Sequence, residues 1–149
     1  MKEVVVILED VRSTFNVGSV LRTADGSGCT KVYMCGITPD GEHPKVKKTA
    51  LGAEEFMQWE HRKDINELLS ELKNEGFQLI SVEQSPKSVS YKDLELADKA
   101  AFIFGNEITG VSERTLVASD LIAEIPMLGK KNSLNISTTV GIILYNTVS

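Results

Sequence analysis

Val4-Val5-Val6-Ile7-Leu8 is an unbroken apolar run of strand length, set between Glu3 and the acidic pair Glu9-Asp10. A half-buried strand alternates polar and apolar side chains, whereas a strand covered on both faces has no polar side to display. The run therefore predicts a central strand of a parallel sheet. Further strands are predicted at residues 31–35, 56–59, 77–82, 100–104 and 121–125. Between them the spacing turns helical. Val17, Val20, Leu21 and Ala24 recur at three and four residues from about Asn16 until Gly26 and Gly28 stop the pattern. Asp64 is a suitable N-cap for a second helix, with Ile65, Leu68, Leu69 and Leu72 inward, Glu67, Glu71 and Glu75 outward, and Gly76 at its end. A last apolar helix begins near Val140. Residues 11–16, 36–44 and 85–96 read as polar or turn-rich connections.

Strands that alternate with helices imply right-handed crossovers, hence an α/β fold with a mostly parallel sheet and helices on both faces. Ligands on such sheets sit beyond the carboxyl ends of the strands. That rule directs attention to the loops after Leu8, Val82, Phe104 and Ile125. With 149 residues, 42% hydrophobic and 25% charged, a single domain over residues 1–149 is expected. The opening apolar run is too short for a signal-peptide core, and no run approaches the ~20 residues that span a bilayer. A cytoplasmic protein without membrane contact is the expectation.

Cys29 and Cys35 are expected as reduced thiols, and with His43 and His61 they form no zinc-like spacing, so no metal is expected. Asn135-Ile136-Ser137 matches a glycosylation sequon that a cytoplasmic chain would never present to that machinery. A net charge of −5 disfavours wrapping much nucleic acid, because phosphate neutralisation supplies most non-specific affinity. Lys45, Lys47 and Lys48, then Arg62 and Lys63, then Lys130 and Lys131 are the local cationic clusters, open to a reading as phosphate contacts or as solvated loop charge.

Three segments carry residue types that a plain fold does not require. The first is Asn16-Val17-Gly18-Ser19-Val20-Leu21-Arg22-Thr23. Asn16 is accounted for as a helix cap, but Gly18 in a first turn costs about 1 kcal/mol against alanine and so points to close approach of another backbone or of a ligand. Arg22 lies one turn later on the same side. The second is Phe104-Gly105-Asn106-Glu107-Ile108-Thr109-Gly110-Val111-Ser112, where two glycines bracket an amide and a carboxylate at the end of a strand. It lacks the three-glycine dinucleotide fingerprint. A tight turn followed by a helix capped at Ser112 is the plainer account. The third is Ile125-Pro126-Met127-Leu128-Gly129 followed, after Lys130 to Asn132, by Ser133-Leu134-Asn135-Ile136-Ser137-Thr138-Thr139. Pro126 ends the strand, and either Ser133 or Ser137 is available to cap the next helix.

Together the three segments resemble, in letters, order and spacing, the motifs of the SpoU/TrmH family within the SPOUT superfamily of RNA methyltransferases. The first family pattern is met by Asn16, Gly18, Ser19 and Arg22, and the second by Gly105, Asn106, Glu107 and Gly110. The third is met by Ile125, Pro126, Met127, Gly129, Ser133, Leu134, Asn135, Ile136 and Ser137. The resemblance covers residues 8–145 and departs at Thr138-Thr139, where a small apolar pair is usual, and at Asn146, where an acidic residue often stands.

The resemblance implies a deep C-terminal trefoil knot, a homodimer whose first-motif residues complete the partner's site, and S-adenosylmethionine as methyl donor to a ribose 2′-hydroxyl of tRNA or rRNA. It places the cofactor against Val82, Glu83, Gly105, Asn106, Ile125, Met127, Gly129, Ser133 and Leu134, and the catalytic set at Arg22, Asn16, Glu107, Ser133 and Asn135. Arg12, Ser19, Lys45, Lys47, Lys48, Lys130 and Lys131 are the expected RNA contacts, with no separate RNA-binding extension. A non-catalytic RNA-binding or assembly module on the same fold, and a base methyltransferase of another SPOUT branch, are the alternatives.

Overall fold

The computed structural model describes residues 2–147. Seven strands form one parallel sheet: β1 (Glu3–Glu9), β2 (Lys31–Cys35), β3 (Trp59–Arg62), β4 (Gln78–Val82), β5 (Val89–Ser90), β6 (Lys99–Phe104) and β7 (Leu121–Glu124). Their order across the sheet is β3-β2-β1-β6-β4-β7-β5. β1 pairs with β2 on one side, Ile7 opposite Tyr33, and with β6 on the other, Ile7 opposite Ile103. Val4 to Leu8 is therefore an internal strand.

Six helices cover this sheet: α1 (Thr14–Ser27), α2 (Pro44–Ala50), α3 (Ala53–Phe56), α4 (Ile65–Asn74), α5 (Glu113–Ala118) and α6 (Ile136–Thr147). Alternate residues of β1 enter different cores. Val4, Val6 and Leu8 pack with Val17, Val20, Leu21 and Ala24 of α1, Val46 and Ala50 of α2, and Val140, Ile143 and Leu144 of α6. Val5 and Ile7 pack with Leu68, Leu69 and Leu72 of α4 and with Leu116 of α5. Each such buried Val, Leu or Ile contributes roughly 1.5–3 kcal/mol, so both faces need cover.

Several boundaries differ from the sequence reading. α1 begins at Thr14, because Ser13 is the cap whose side chain accepts from Asn16 N, and it runs to Ser27, where Gly28 closes it at φ 78°. Asn16 is thus inside the first turn. The strand expected at residues 56–59 is displaced to Trp59–Arg62, and α3 takes up Phe56. α2, with Pro44 in its first turn and His43 as cap, stands where no helix was expected. The connection at residues 85–96 contains β5, which pairs with β7. α6 begins at Ile136, a turn before Val140.

Cys29 and Cys35 are buried free thiols. Burial pushes their pKa up, to about 11 and about 12, so both stay protonated at neutral pH. Among the described residues no helix is long and apolar enough to cross a membrane, and no cluster of His, Cys, Asp and Glu is placed to hold a metal ion.

Candidate active site

β6 runs into a tight turn, residues 105–111, closed by paired backbone bonds between Asn106 and Gly110 at 3.2 and 2.9 Å. The Asn106 side chain knits the turn from within. Its Oδ1 accepts from Ile108 N and Thr109 N at 2.8 and 3.0 Å, and its Nδ2 donates to the Asp10 carbonyl at 2.8 Å. A Cβ on Gly105 would overlap the Gly110 carbonyl and Val111 N, and one on Gly110, already at φ 73°, would overlap the Glu83 carboxylate. Glu83 accepts from Val111 N and Gln84 N, both at 3.0 Å, fastening the turn to the end of β4.

Glu107 reaches the start of α1. Its two oxygens accept from Arg12 N at 3.0 Å and Ser13 N at 2.9 Å, and the Asn16 side chain also bonds to it. Burial raises its pKa, but the hydrogen bonds from Arg12 and Ser13 outweigh that effect and hold the carboxyl below the usual range. The position suits an anion, since the backbone N–H groups just ahead of α1 point at it and a helix N-terminus is partially positive. Glu107 is therefore a carboxylate at neutral pH.

After β7, residues 126–135 form no regular element, and all of residues 128–135 are exposed. Gln84 Nε2 donates to the Asn132 carbonyl, which lays this segment against the end of β4. Asn135 opens α6: its Oδ1 accepts from Ser137 N at 2.9 Å and from Ser137 Oγ at 2.7 Å. The cap is therefore Asn135, and neither serine.

The turn, the β4 end and the 126–135 segment enclose a cleft of about 700 Å³, within the size range of small-molecule and cofactor sites. Of the expected cofactor residues, Val82, Glu83, Gly105, Asn106, Ile125, Met127, Ser133 and Leu134 line it. Asn16, Glu107 and Asn135 line it as well. Gly129 does not: it is exposed, and a Cβ there would meet nothing within 4 Å. Gln84, Phe104, Leu116, Glu124, Ile136 and Thr139 also line the cleft, unforeseen from the sequence. Phe104 and Glu124 end strands at the carboxyl edge, a signal that the strand-end rule contained. Gln84, Leu116 and Thr139 carried no such mark.

Glu83, Glu107 and Glu124 line this cleft, and no lysine, arginine or histidine does. A ligand bearing positive charge is favoured there, and a phosphate is repelled. Arg22 lies elsewhere. It is exposed on α1, outside the cleft of its own chain, with no ion pair or hydrogen bond among the described residues. Gly18 answers to packing: a Cβ there would overlap Thr49 Oγ1 and the Val46 carbonyl of α2. Arg12, Ser19, Lys45, Lys47, Lys48, Lys130 and Lys131 likewise stand off the cleft wall.

Comparison with known proteins gives this arrangement a lineage. The chain is 31% identical over 140 residues to a tRNA (guanosine(18)-2′-O)-methyltransferase of Borreliella burgdorferi, covering 94% of this chain and 63% of that protein. It is 33% identical over 141 residues to a 23S rRNA (guanosine-2′-O-)-methyltransferase of Neisseria meningitidis serogroup B, covering 95% of this chain and 56% of the relative. The crystal structure of an AdoMet-bound rRNA methyltransferase from Sinorhizobium meliloti superposes with a TM-score of 0.91 at 24% identity, over 97% of this chain and 55% of that one, which establishes a shared fold. The chain thus spans less than two thirds of the length of these relatives. The model of the SpoU rRNA Methylase family matches residues 3–145, and the chain belongs to that family.

Proposed function

We propose that the chain moves a methyl group from S-adenosylmethionine to a ribose 2′-hydroxyl of tRNA or rRNA. The observation that carries this reading is the meeting of three separate sequence segments, at Asn16, residues 105–111 and residues 125–135, on one cleft lined by both apolar and polar groups, with three carboxylates and no cation among the described residues. A nucleoside bearing a sulfonium and an ammonium group fits that chemistry. Family membership and the names of the relatives support the same reaction.

S-adenosylmethionine supplies an electrophilic methyl group. Gly105, Ile125, Met127 and Leu134 would hold its adenine between apolar surface and backbone. Val82, Glu83, Asn106 and Ser133 would border the remainder. Asn16 and Glu107 fix the start of α1 against this wall, and Asn135 fixes the start of α6. Arg22 is given the task of holding the phosphate and ribose, because a guanidinium is charged at any working pH and is a poor proton acceptor.

Since Arg22 is exposed and does not line its own cleft, the active species is proposed to be a homodimer in which α1 of one subunit faces the cleft of the other, with α6 and its exposed Tyr145 at the interface. A threaded, knotted path for the 126–135 segment is proposed from the family resemblance. Arg12, Ser19, Lys45, Lys47, Lys48, Lys130 and Lys131 are proposed to meet RNA phosphates outside the cleft. A cytoplasmic location, alongside the tRNA and rRNA it would modify, is proposed with this reaction. The test is transfer of radiolabel from S-adenosylmethionine to unfractionated tRNA or rRNA, followed by nuclease digestion. A labelled 2′-O-methyl nucleoside is expected from one of them, reduced about 10²-fold by Arg22→Ala with cofactor affinity unchanged; no labelled product from any RNA overturns the reading.

A further inference from the structure

Phe15 is an aromatic side chain with 61% of its surface exposed, immediately before the almost fully buried Asn16. Side chains of consecutive helical residues diverge by about 100°, so Asn16 enters the cleft while Phe15 leaves α1 beside its mouth. Ser19 and Arg22 follow Phe15 by four and seven residues, which puts all three on one stripe of the helix. None is buried. Along that stripe Phe15 and Arg22 are separated by a rise of roughly 10 Å.

α2 runs alongside the same turn. Thr49 Oγ1 donates to the Phe15 carbonyl at 2.9 Å, and the bare Gly18 backbone lets Val46 and Ala50 approach α1 directly. α2 also carries the exposed Lys45, Lys47 and Lys48, and the exposed Arg12 lies in the loop before Phe15. Residues 12–23 and 43–51 together hold five cations and no carboxylate, in a chain whose net charge is −5. One of these cations, Lys47, has Glu42 at 3.7 Å. An exposed ring on a helix that also carries an exposed arginine, packed against a lysine-rich helix, is a pairing that single-stranded nucleic acid uses: phosphates follow the charge, and bases stack on the ring.

We infer that Phe15 is a stacking platform for an unpaired RNA base next to the methylated nucleotide, on a track along α1 that runs from Arg22 through Ser19 to Phe15. The inference rests on the proposed reaction and adds a positioning residue to it. It commits the substrate to a single-stranded loop or bulge, since a base within a duplex is already stacked.

The test measures binding of unfractionated tRNA to wild type and to Phe15→Ala, Phe15→Leu and Phe15→Trp, with thermal unfolding, mass in solution and S-adenosylmethionine binding recorded for each. Loss of one stacked base is expected to weaken RNA binding about tenfold or more in Phe15→Ala and Phe15→Leu. Phe15→Trp should retain affinity, and its added fluorescence should be quenched at saturating tRNA relative to the Trp59 signal of wild type. Cofactor binding and unfolding should not move. Wild-type affinity in Phe15→Ala, unquenched fluorescence in Phe15→Trp, or a change in mass accompanying the loss, which would make Phe15 a subunit contact, each overturns the inference. Wild-type protein that neither binds nor methylates any RNA overturns the underlying reaction instead.

Discussion

The two loops that frame the cleft are built on opposite plans. In the turn at residues 105–111 almost every polar group is spent internally: Asn106 makes three side-chain bonds, and Glu83 and Glu107 each accept two backbone N–H groups. Its glycines are sites where a Cβ has no room. In the segment at residues 126–135 the side chains are mostly exposed, Leu128 at 96%, and Gly129 is surrounded by open space. A wall whose groups are already satisfied is rigid before a ligand arrives, whereas a segment with unspent groups is free to close on one. Motif residues of the same family thus stand in different surroundings, some in a fixed framework and some on open surface.

The comparison makes graded predictions. Gly105→Ala forces a Cβ into the backbone of Gly110 and Val111, and a loss of about 3 kcal/mol is expected, or a melting temperature lower by roughly 6–12 °C. Calorimetry measures it, and a stability within error of wild type would mean that the turn is as adaptable as its neighbour. Asn106→Ala removes three side-chain bonds and should cost about 2 kcal/mol in urea unfolding.

For Glu107→Gln the pH dependence is the readout. The folded pKa of Glu107 lies below its unfolded value, so its stabilisation is complete above about pH 4.3 and is lost as pH falls through the lower folded value. Wild type should be the more stable protein at neutral pH, and the two acid-unfolding curves should converge below that range. A constant gap down to low pH would remove Glu107 as the cause. The smallest effect belongs to the other loop: Leu128→Ser should change stability by no more than about 0.5 kcal/mol in the same urea titration. A larger loss would give the segment a packing role.

What the sequence made legible follows from how strongly each element is patterned. The runs at Val4 to Leu8 and Ala100 to Phe104 announce buried strands because both faces must be apolar. α2 escapes such reading, since only Val46 and Ala50 of its seven residues are buried, and the three lysines between and around them look like loop charge. β5 is two residues long and too short to carry a pattern. The cap of α1 was misplaced because Ser13 and Asn16 are equally good capping types, and the choice was made by Glu107, which grips Arg12 N and Ser13 N from across the sheet. At the site, polar and glycine residues outside any periodicity marked all three segments. Leu116 gave no sign, because it borders the cleft through the packing of α5 and not through any local motif, whereas Thr139 closes the third segment without a role assigned to it.

The central pair of the sheet has a further consequence for the birth of the molecule. β1 finds its partner β6 only across nearly the whole intervening chain, with Glu3 set opposite Lys99. β2 covers one edge of β1 early, but closure of the longer span must precede pairing on the other edge, which slows folding and leaves that edge open during synthesis. β4, β6 and β7, whose ends wall the cleft, all follow β1 and α1 in the chain, so the nascent protein carries Asn16 long before it owns a pocket to put it in. Arrested chains released before β6 should remain protease-sensitive along β1, and protection there should arise together with the ability to bind ligand.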